Sequence, residues 1–443
     1  MRVESRLSWL AVASGTALCA SVATIGADTR WLAALGAAIA SAGHIPSSLP
    51  YAAAPSHDWA NVPVLGELVF HWLDALGGER ALLVAQALAV AATLAVLLRD
   101  MRAAGASDAA RALVLVAIPF ATLSSLFVVR AQLFSLPLFA LLVCLLRAET
   151  REPTGRIWLL VPLVALWSNL HGAVLLGLIV ASAYLALERF KRTRWTALCV
   201  LVTSWAALFV TPALGRTGDY YWGVMHSEPA ASGFGLWAPL SLHNPLDVTF
   251  VLVVLPLAWF AVRAQPRRWE LLCIAFMAVS ALHVGRNAVW LVLFLAAPAA
   301  AGLRLRRVTP NRYLLIAAWI VPALLLVTGF TRTPQQTVAG PALRAQAVRL
   351  ANGTPILADA EDAEQLALDG RRVWIGNPID AFPRSDQRLY LDWLRGRRSG
   401  DALLLRSRAV LVQAGSTAEH RLARDGRFRE VAHDSAAVLY VRR

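Results

Sequence analysis

About eleven times in its first 330 residues the chain runs apolar for the length of a helix and then breaks at a short polar stretch. Runs of roughly 17–20 apolar residues match what a helix needs to cross about 30 Å of hydrocarbon. Lipid offers no partner for a bare backbone N–H or C=O, so such runs have to fold as helices. The chain is 58% hydrophobic and 16% charged, with mean hydropathy +0.55, which excludes an ordinary soluble globular protein. The expected spans are 7–25, 81–98, 111–128, 133–146, 157–167, 172–187, 195–214, 248–262, 271–282, 288–303 and 313–330. The first follows a basic start and reads as a retained anchor.

A net charge of +14 suggests a nucleic-acid partner until its distribution is considered. The basic residues of 1–330 fall in short clusters between apolar runs, which is the pattern that orients membrane proteins. With the N-terminus cytoplasmic, 19 of the 24 Arg and Lys in 1–330 lie on the cytoplasmic side. Only Arg30, Arg80, Arg130, Arg216 and Arg286 fall outside. The same alternation places two long polar loops, 28–80 and 215–247, on the extracytoplasmic face with three short polar turns and the C-terminal tail. Within the first loop, 31–42 is apolar but short, as an interfacial helix would be. The four cysteines all sit inside apolar runs and imply no disulfide framework.

From residue 331 the composition turns polar, and strand-like runs (355–358, 372–375, 408–412, 436–441) alternate with helix-like ones (362–368, 385–394, 417–425). That alternation predicts a small soluble α/β domain, 331–443, ending in a hairpin turned near His433-Asp434-Ser435. It carries no Gly-rich phosphate loop. The fold class is therefore a polytopic α-helical membrane protein, domain 1–330, with a small C-terminal extracytoplasmic α/β domain.

The first loop holds the residues best suited to chemistry. Asp58 precedes a helix-compatible run that begins near Pro63, so it can serve as an N-cap. It can equally be a carboxylate held at the membrane surface to take a proton from an acceptor hydroxyl, with His57 beside it as a tuning group. Glu67, His71 and Asp74 are spaced to share a helix face, either a solvated one or part of a site. No metal is assigned, because two ligands at that spacing do not make a site without a third. Arg130, Asn169, His171 and Arg286 each sit in a short turn between two apolar runs, where ionisable groups are functional candidates by default. A guanidinium there suits a phosphate through paired hydrogen bonds. Tyr220, Tyr221, Trp222 and Trp237 read as an interfacial aromatic belt in preference to a sugar platform.

The order of these features resembles the GT-C superfamily. The first loop carries His57-Asp58-Trp59. After it come Arg130-Ala131-Gln132-Leu133-Phe134-Ser135-Leu136-Pro137, then Trp167-Ser168-Asn169-Leu170-His171-Gly172, then Arg286-Asn287, then a soluble tail. GT-C members are polytopic glycosyltransferases that use polyprenyl-phosphate sugars, among them protein O-mannosyltransferases and the lipid A aminoarabinose transferase. The resemblance implies sugar transfer from a polyprenyl-phosphate donor to an extracytoplasmic glycan, lipid or protein, in a bacterial inner membrane. It implies Asp58 as catalytic base, Arg130, His171 and Arg286 at the lipid phosphate, and His57, Glu67, Gln132 and Asn169 among the substrate-binding residues. No cofactor is called for, and a divalent cation is the one left open. A transporter or flippase of lipid-linked material, or an inactive scaffold of the same fold, are the alternatives. Transporters place ionisable groups near the bilayer midplane, whereas here they cluster at one face.

Overall fold

The computed structural model describes residues 6–26, 28–56, 59–305, 311–332 and 337–443. His57 and Asp58 lie outside the described residues. The chain divides into two compact units.

The first unit comprises Met1–Thr24, Glu79–Thr211 and Gly235–Thr333, and its described residues are almost wholly helical. By length and composition, five helices among the described residues can cross a membrane: Val64–Ala103, Gln132–Arg151, Pro245–Arg263, Gly285–Gly302 and Tyr313–Thr331. Shorter apolar helices such as Arg6–Val22 and Leu160–Ser168 lie among them. Ala288–Gly302 is enclosed along nearly its whole length and packs against Pro245–Arg263, Arg268–His283 and Asp108–Ala121. The outer helices turn apolar side chains outward: Leu252 is 68% exposed, Trp259 65% and Val279 66%. A water-soluble bundle would bury that stripe, whereas in hydrocarbon it is the favoured surface.

Charges buried inside this unit are bonded to one another. Asp108 receives the backbone N–H of Leu7 at 3.0 Å and the Ser8 hydroxyl at 2.6 Å, so it supplies partners to the open N-terminus of Arg6–Val22. Arg147 donates to Asp100 Oδ2 at 2.8 Å, Glu270 Oε1 at 2.9 Å and the Phe294 carbonyl at 2.7 Å. That carbonyl is free for a local reason. Its helical donor would be the N–H of residue 298, which is a proline. One guanidinium thus joins four helices and covers the carbonyl that Pro298 leaves open.

The second unit gathers Ile25–Gly78, Pro212–Phe234 and Pro334–Arg443. Composition suggests one boundary at residue 331, but in this unit the tail packs with both long polar loops. Its centre is a four-stranded sheet in the order Leu357–Ala358, Ala409–Gln413, Ala437–Arg442, Phe428–His433. The first pair is parallel and the rest antiparallel, with Val410 opposite Tyr440. Leu357–Ala358 and Ala409–Gln413 are buried through most of their length, as apolar strands covered on both faces should be. The expected closing hairpin is present, with Asp434 accepting the N–H groups of Ala436 and Ala437 at 2.9 Å in its turn.

The first loop joins this sheet through its backbone. Val373 N–H donates to Tyr51 O at 2.9 Å, and Ala53 and Ala54 donate to Val373 O and Trp374 O at the same distance. Ile356 pairs with Val373 on the other side. The short helix Thr29–Ala42, which contains the stretch read as an interfacial helix, packs on Ala360–Leu368 and is mostly buried. In the second loop Glu228 is clamped by Arg384 and Arg388 at 2.9 and 3.0 Å, and its N–H donates to Gln387 Oε1 at 2.9 Å. The long helix Val64–Ala103 is broken at Gly77 and Gly78. Gly78 has φ 57° and ψ −143°, a conformation open only to glycine, so the stretch before it is separate from the apolar run after it.

Candidate functional site

In the first unit, the turn that links Leu160–Ser168 to Val174–Leu187 carries His171, and the neighbouring side chains define its state. Trp167 Nε1–H donates to Ser135 Oγ at 2.6 Å, and Ser135 Oγ lies 2.7 Å from His171 Nδ1. The Ala173 N–H also points at Nδ1, at 3.4 Å. With the indole N–H directed at its lone pair, the Ser135 hydroxyl proton is directed at Nδ1. Nδ1 is then an acceptor, and the ring carries its proton on Nε2. Charge favours the same form. Burial in this turn, followed by the positive charges of Arg286 and Arg130, pushes the imidazole down to about 3. His171 is thus a neutral, fixed Nε2–H donor with two guanidinium groups in its electrostatic neighbourhood.

Each of those groups is held by its own segment. Arg130 is buried, two residues ahead of the helix Gln132–Arg151, and Gln132 opens that helix half-buried. The Arg286 guanidinium lies 3.7 Å over the Trp237 ring, a stacking geometry with a clear cation–π attraction. Its turn is fastened by Gly285 N–H to Ala238 O at 2.9 Å and by Asn287 Nδ2–H to Ser280 Oγ at 2.9 Å. Asn169 directs its amide N–H groups to Ala165 O at 2.8 Å and Val210 O at 2.6 Å, which ties the turn to the chain beyond Arg194–Ala207. Arg130 and Arg286, from two further turns, thus act electrostatically on the neutral His171. Ser135 and Trp167, which fix the imidazole, were not singled out in the sequence, although both stand in the stretches that carry the resemblance.

In the second unit Glu67 is fully enclosed. Its Oε2 accepts from Asn61 Nδ2 at 2.8 Å, and burial, partly offset by that bond, pushes its carboxyl up to about 8. The helix Thr29–Ala42 approaches it so closely at Gly36 that a β-carbon there would lie 2.2 Å from the Glu67 carbonyl oxygen. His71 and Asp74 follow on the same helix, and among the described residues no three His, Cys, Asp or Glu converge to hold a metal ion. Glu364 accepts the Asp28 N–H at 3.1 Å and the Asn377 amide at 2.5 Å, and burial also pushes it up to about 8.

An open cleft of about 430 Å³ lies in this same unit. Trp59, Tyr220 and Phe382 line it with Pro383, and among the described residues the charged ones in its lining are Asp219 and Asp380. Trp59, next to Asp58 in the chain, donates its indole N–H to Asp380 Oδ2 at 3.3 Å. Burial pushes Asp380 up to about 6 against that bond. Neither Asp380 nor Tyr220 could be placed beside Trp59 from sequence, since residues 59, 220 and 380 meet only through the fold.

No protein-family model matches the sequence, and no curated protein does. Solved structures match in fold over nearly the whole chain. The mycobacterial arabinofuranosyltransferase AftD, seen by cryo-electron microscopy, superposes with TM-score 0.54 at 16% identity, covering 98% of this chain. The chain spans 41% of the length of AftD. ArnT from Cupriavidus metallidurans, solved bound to undecaprenyl phosphate, superposes with TM-score 0.54 at 14% identity, covering 98% of this chain and 97% of its own. At such identities the likeness is one of fold.

Proposed function

We propose that the protein is an integral glycosyltransferase of the bacterial inner membrane, moving a sugar from a polyprenyl-phosphate donor to an acceptor on the extracytoplasmic side. The observation that carries this reading is the group of Arg130, Arg286 and the neutral His171 Nε2–H, in a chain whose fold is shared with ArnT. Two cations and a fixed donor suit a lipid phosphate that gains charge as it departs. The acceptor oxygen bonds to the anomeric carbon while the bond from that carbon to the phosphate oxygen breaks. The acceptor proton passes to Asp58, the polyprenyl phosphate leaves, and no redox partner is needed. Trp237 holds Arg286 in place, Gln132 and Asn169 shape the turns, and His57 tunes the base. Glu67, enclosed within the first loop and bonded to Asn61, positions that loop.

The protein in lipid nanodiscs is expected to retain undecaprenyl phosphate in native mass spectrometry. Arg130→Lys and Arg286→Lys keep charge but lose the two-pronged geometry, and should weaken retention about tenfold or more. Equal retention by the wild type and an Arg130→Ala, Arg286→Ala double variant overturns the assignment. Mass spectrometry of envelope glycans from a deletion strain then identifies the missing sugar.

A further inference from the structure

The cleft of the second unit says something about the acceptor, an inference that rests on the glycosyltransferase reading. We propose that this cleft is the acceptor subsite and that it takes the ring of a neutral or amino sugar, not an anionic sugar and not a protein hydroxyl. Three aromatic residues, Trp59, Tyr220 and Phe382, line a space of about 430 Å³, within the ordinary range for a small-molecule pocket. The C–H face of a pyranose carries slight positive charge and stacks on the negative face of an aromatic ring. Such rings offer rigid contact at small entropic cost. Asp219 and Asp380, both in the lining, can accept hydrogen bonds from sugar hydroxyls, and a carboxylate is a stronger acceptor for an O–H than a neutral group. A serine or threonine side chain has one hydroxyl and no ring face, and leaves most of this surface unmet.

Charge narrows the class further. Among the described residues, both charged groups of the lining are carboxylates. Asp219 pairs with Arg216 at 3.7 Å, and Arg216 stands outside the lining. Arg384, which follows Pro383 in the chain, is held by Glu228 at 2.9 Å. A phosphorylated or uronic sugar would set its charge against Asp219 and Asp380. An amino sugar would gain from both. Trp59, which follows the proposed base in the chain, is fixed at its N–H edge by Asp380.

The test is saturation-transfer NMR on the full-length protein in nanodiscs, with methyl glucoside, methyl glucosaminide, glucose 6-phosphate and N-acetylserinamide as probes. Ring-proton signals are expected for the first two, with glucose 6-phosphate at least tenfold weaker and the serine amide silent. Tyr220→Ala and Asp380→Asn should each lower the glycoside signals threefold or more. Asp219→Asn, on an exposed residue, serves the same purpose should Asp380→Asn melt at a lower temperature than the wild type. Undecaprenyl phosphate retention is measured on the same samples. If the lipid is retained but glycosides give no signal, or glucose 6-phosphate binds best, or none of the variants changes binding, the subsite is wrong and the donor site stands. If the wild type retains no lipid, the glycosyltransferase reading fails first.

Discussion

Removing the Arg147 guanidinium tests how the membrane unit holds its charges. Arg147→Ala leaves Asp100, 1% exposed, and Glu270, 12% exposed, without their shared cation, and uncovers the Phe294 carbonyl. Breaking a buried ion pair from one side costs about 3–5 kcal/mol, roughly 10²–10⁴ in the folding equilibrium. The contribution of the carbonyl can be isolated, because Pro298 is what leaves it open. Pro298→Ala restores an N–H at the helical donor position, so in that background the loss of Arg147 no longer strands an acceptor. An unmet buried acceptor costs about 1–3 kcal/mol, and that is the expected coupling between positions 147 and 298. The assay is reversible titration with sodium dodecyl sulfate of the protein in mild detergent, followed by circular dichroism, for the wild type, both single variants and the double. Effects that add to within about 0.5 kcal/mol would falsify the link between the proline and the guanidinium.

Asp58→Asn keeps N-cap capacity but removes the proton acceptor, so transfer should fall on the order of 10²–10⁴-fold at unchanged membrane level, checked by in vitro transfer and immunoblot; full activity removes Asp58 as base. The arginine bias predicts that a periplasm-active reporter fused after Arg443 and a cytoplasm-active one after Arg194 both work; a C-terminal fusion active only as a cytoplasmic reporter reverses the topology. Glu67 and Glu364 have folded-state pKa values of about 8, above the ordinary 4.5, so the native state holds their protons longer than the unfolded chain does. Their burial is therefore fully tolerated below about pH 4.5, and stability should fall as pH rises from there through 8. Thermal melts from pH 5 to 8.5 should show this slope, and Glu67→Gln should flatten it and raise the melting temperature at pH 8; a Gln variant with the same slope rules out Glu67 as its source.

Much of the architecture is legible because hydropathy and charge are one-dimensional. The apolar runs, the arginines at their ends, the turns bearing Arg130, His171 and Arg286, and the closing hairpin near Asp434 can all be read from residue order. Helix limits follow the expected spans closely where a run is long, as at Pro245–Arg263. The expected span 313–330 is likewise covered, by Arg312–Ala318 and Ile320–Thr331 on either side of Trp319, whose backbone is also helical.

Residue order does not contain the meeting of distant residues. Tyr51 pairs with Val373 across more than three hundred residues, and backbone hydrogen bonds of that kind leave no local pattern. The neutral tautomer of His171 depends on Ser135 and Trp167, whose types alone suggest only a small polar residue and an apolar one. The role of Arg147 depends on a proline on another helix, and the cleft on residues drawn from three separated segments. The sequence by itself determined which segments leave water and which polar residues interrupt them, because transfer free energy acts residue by residue along the chain. Only the tertiary structure decided which of those polar residues share a proton, a carbonyl or a cleft, because hydrogen-bond geometry and close packing act between neighbours in space.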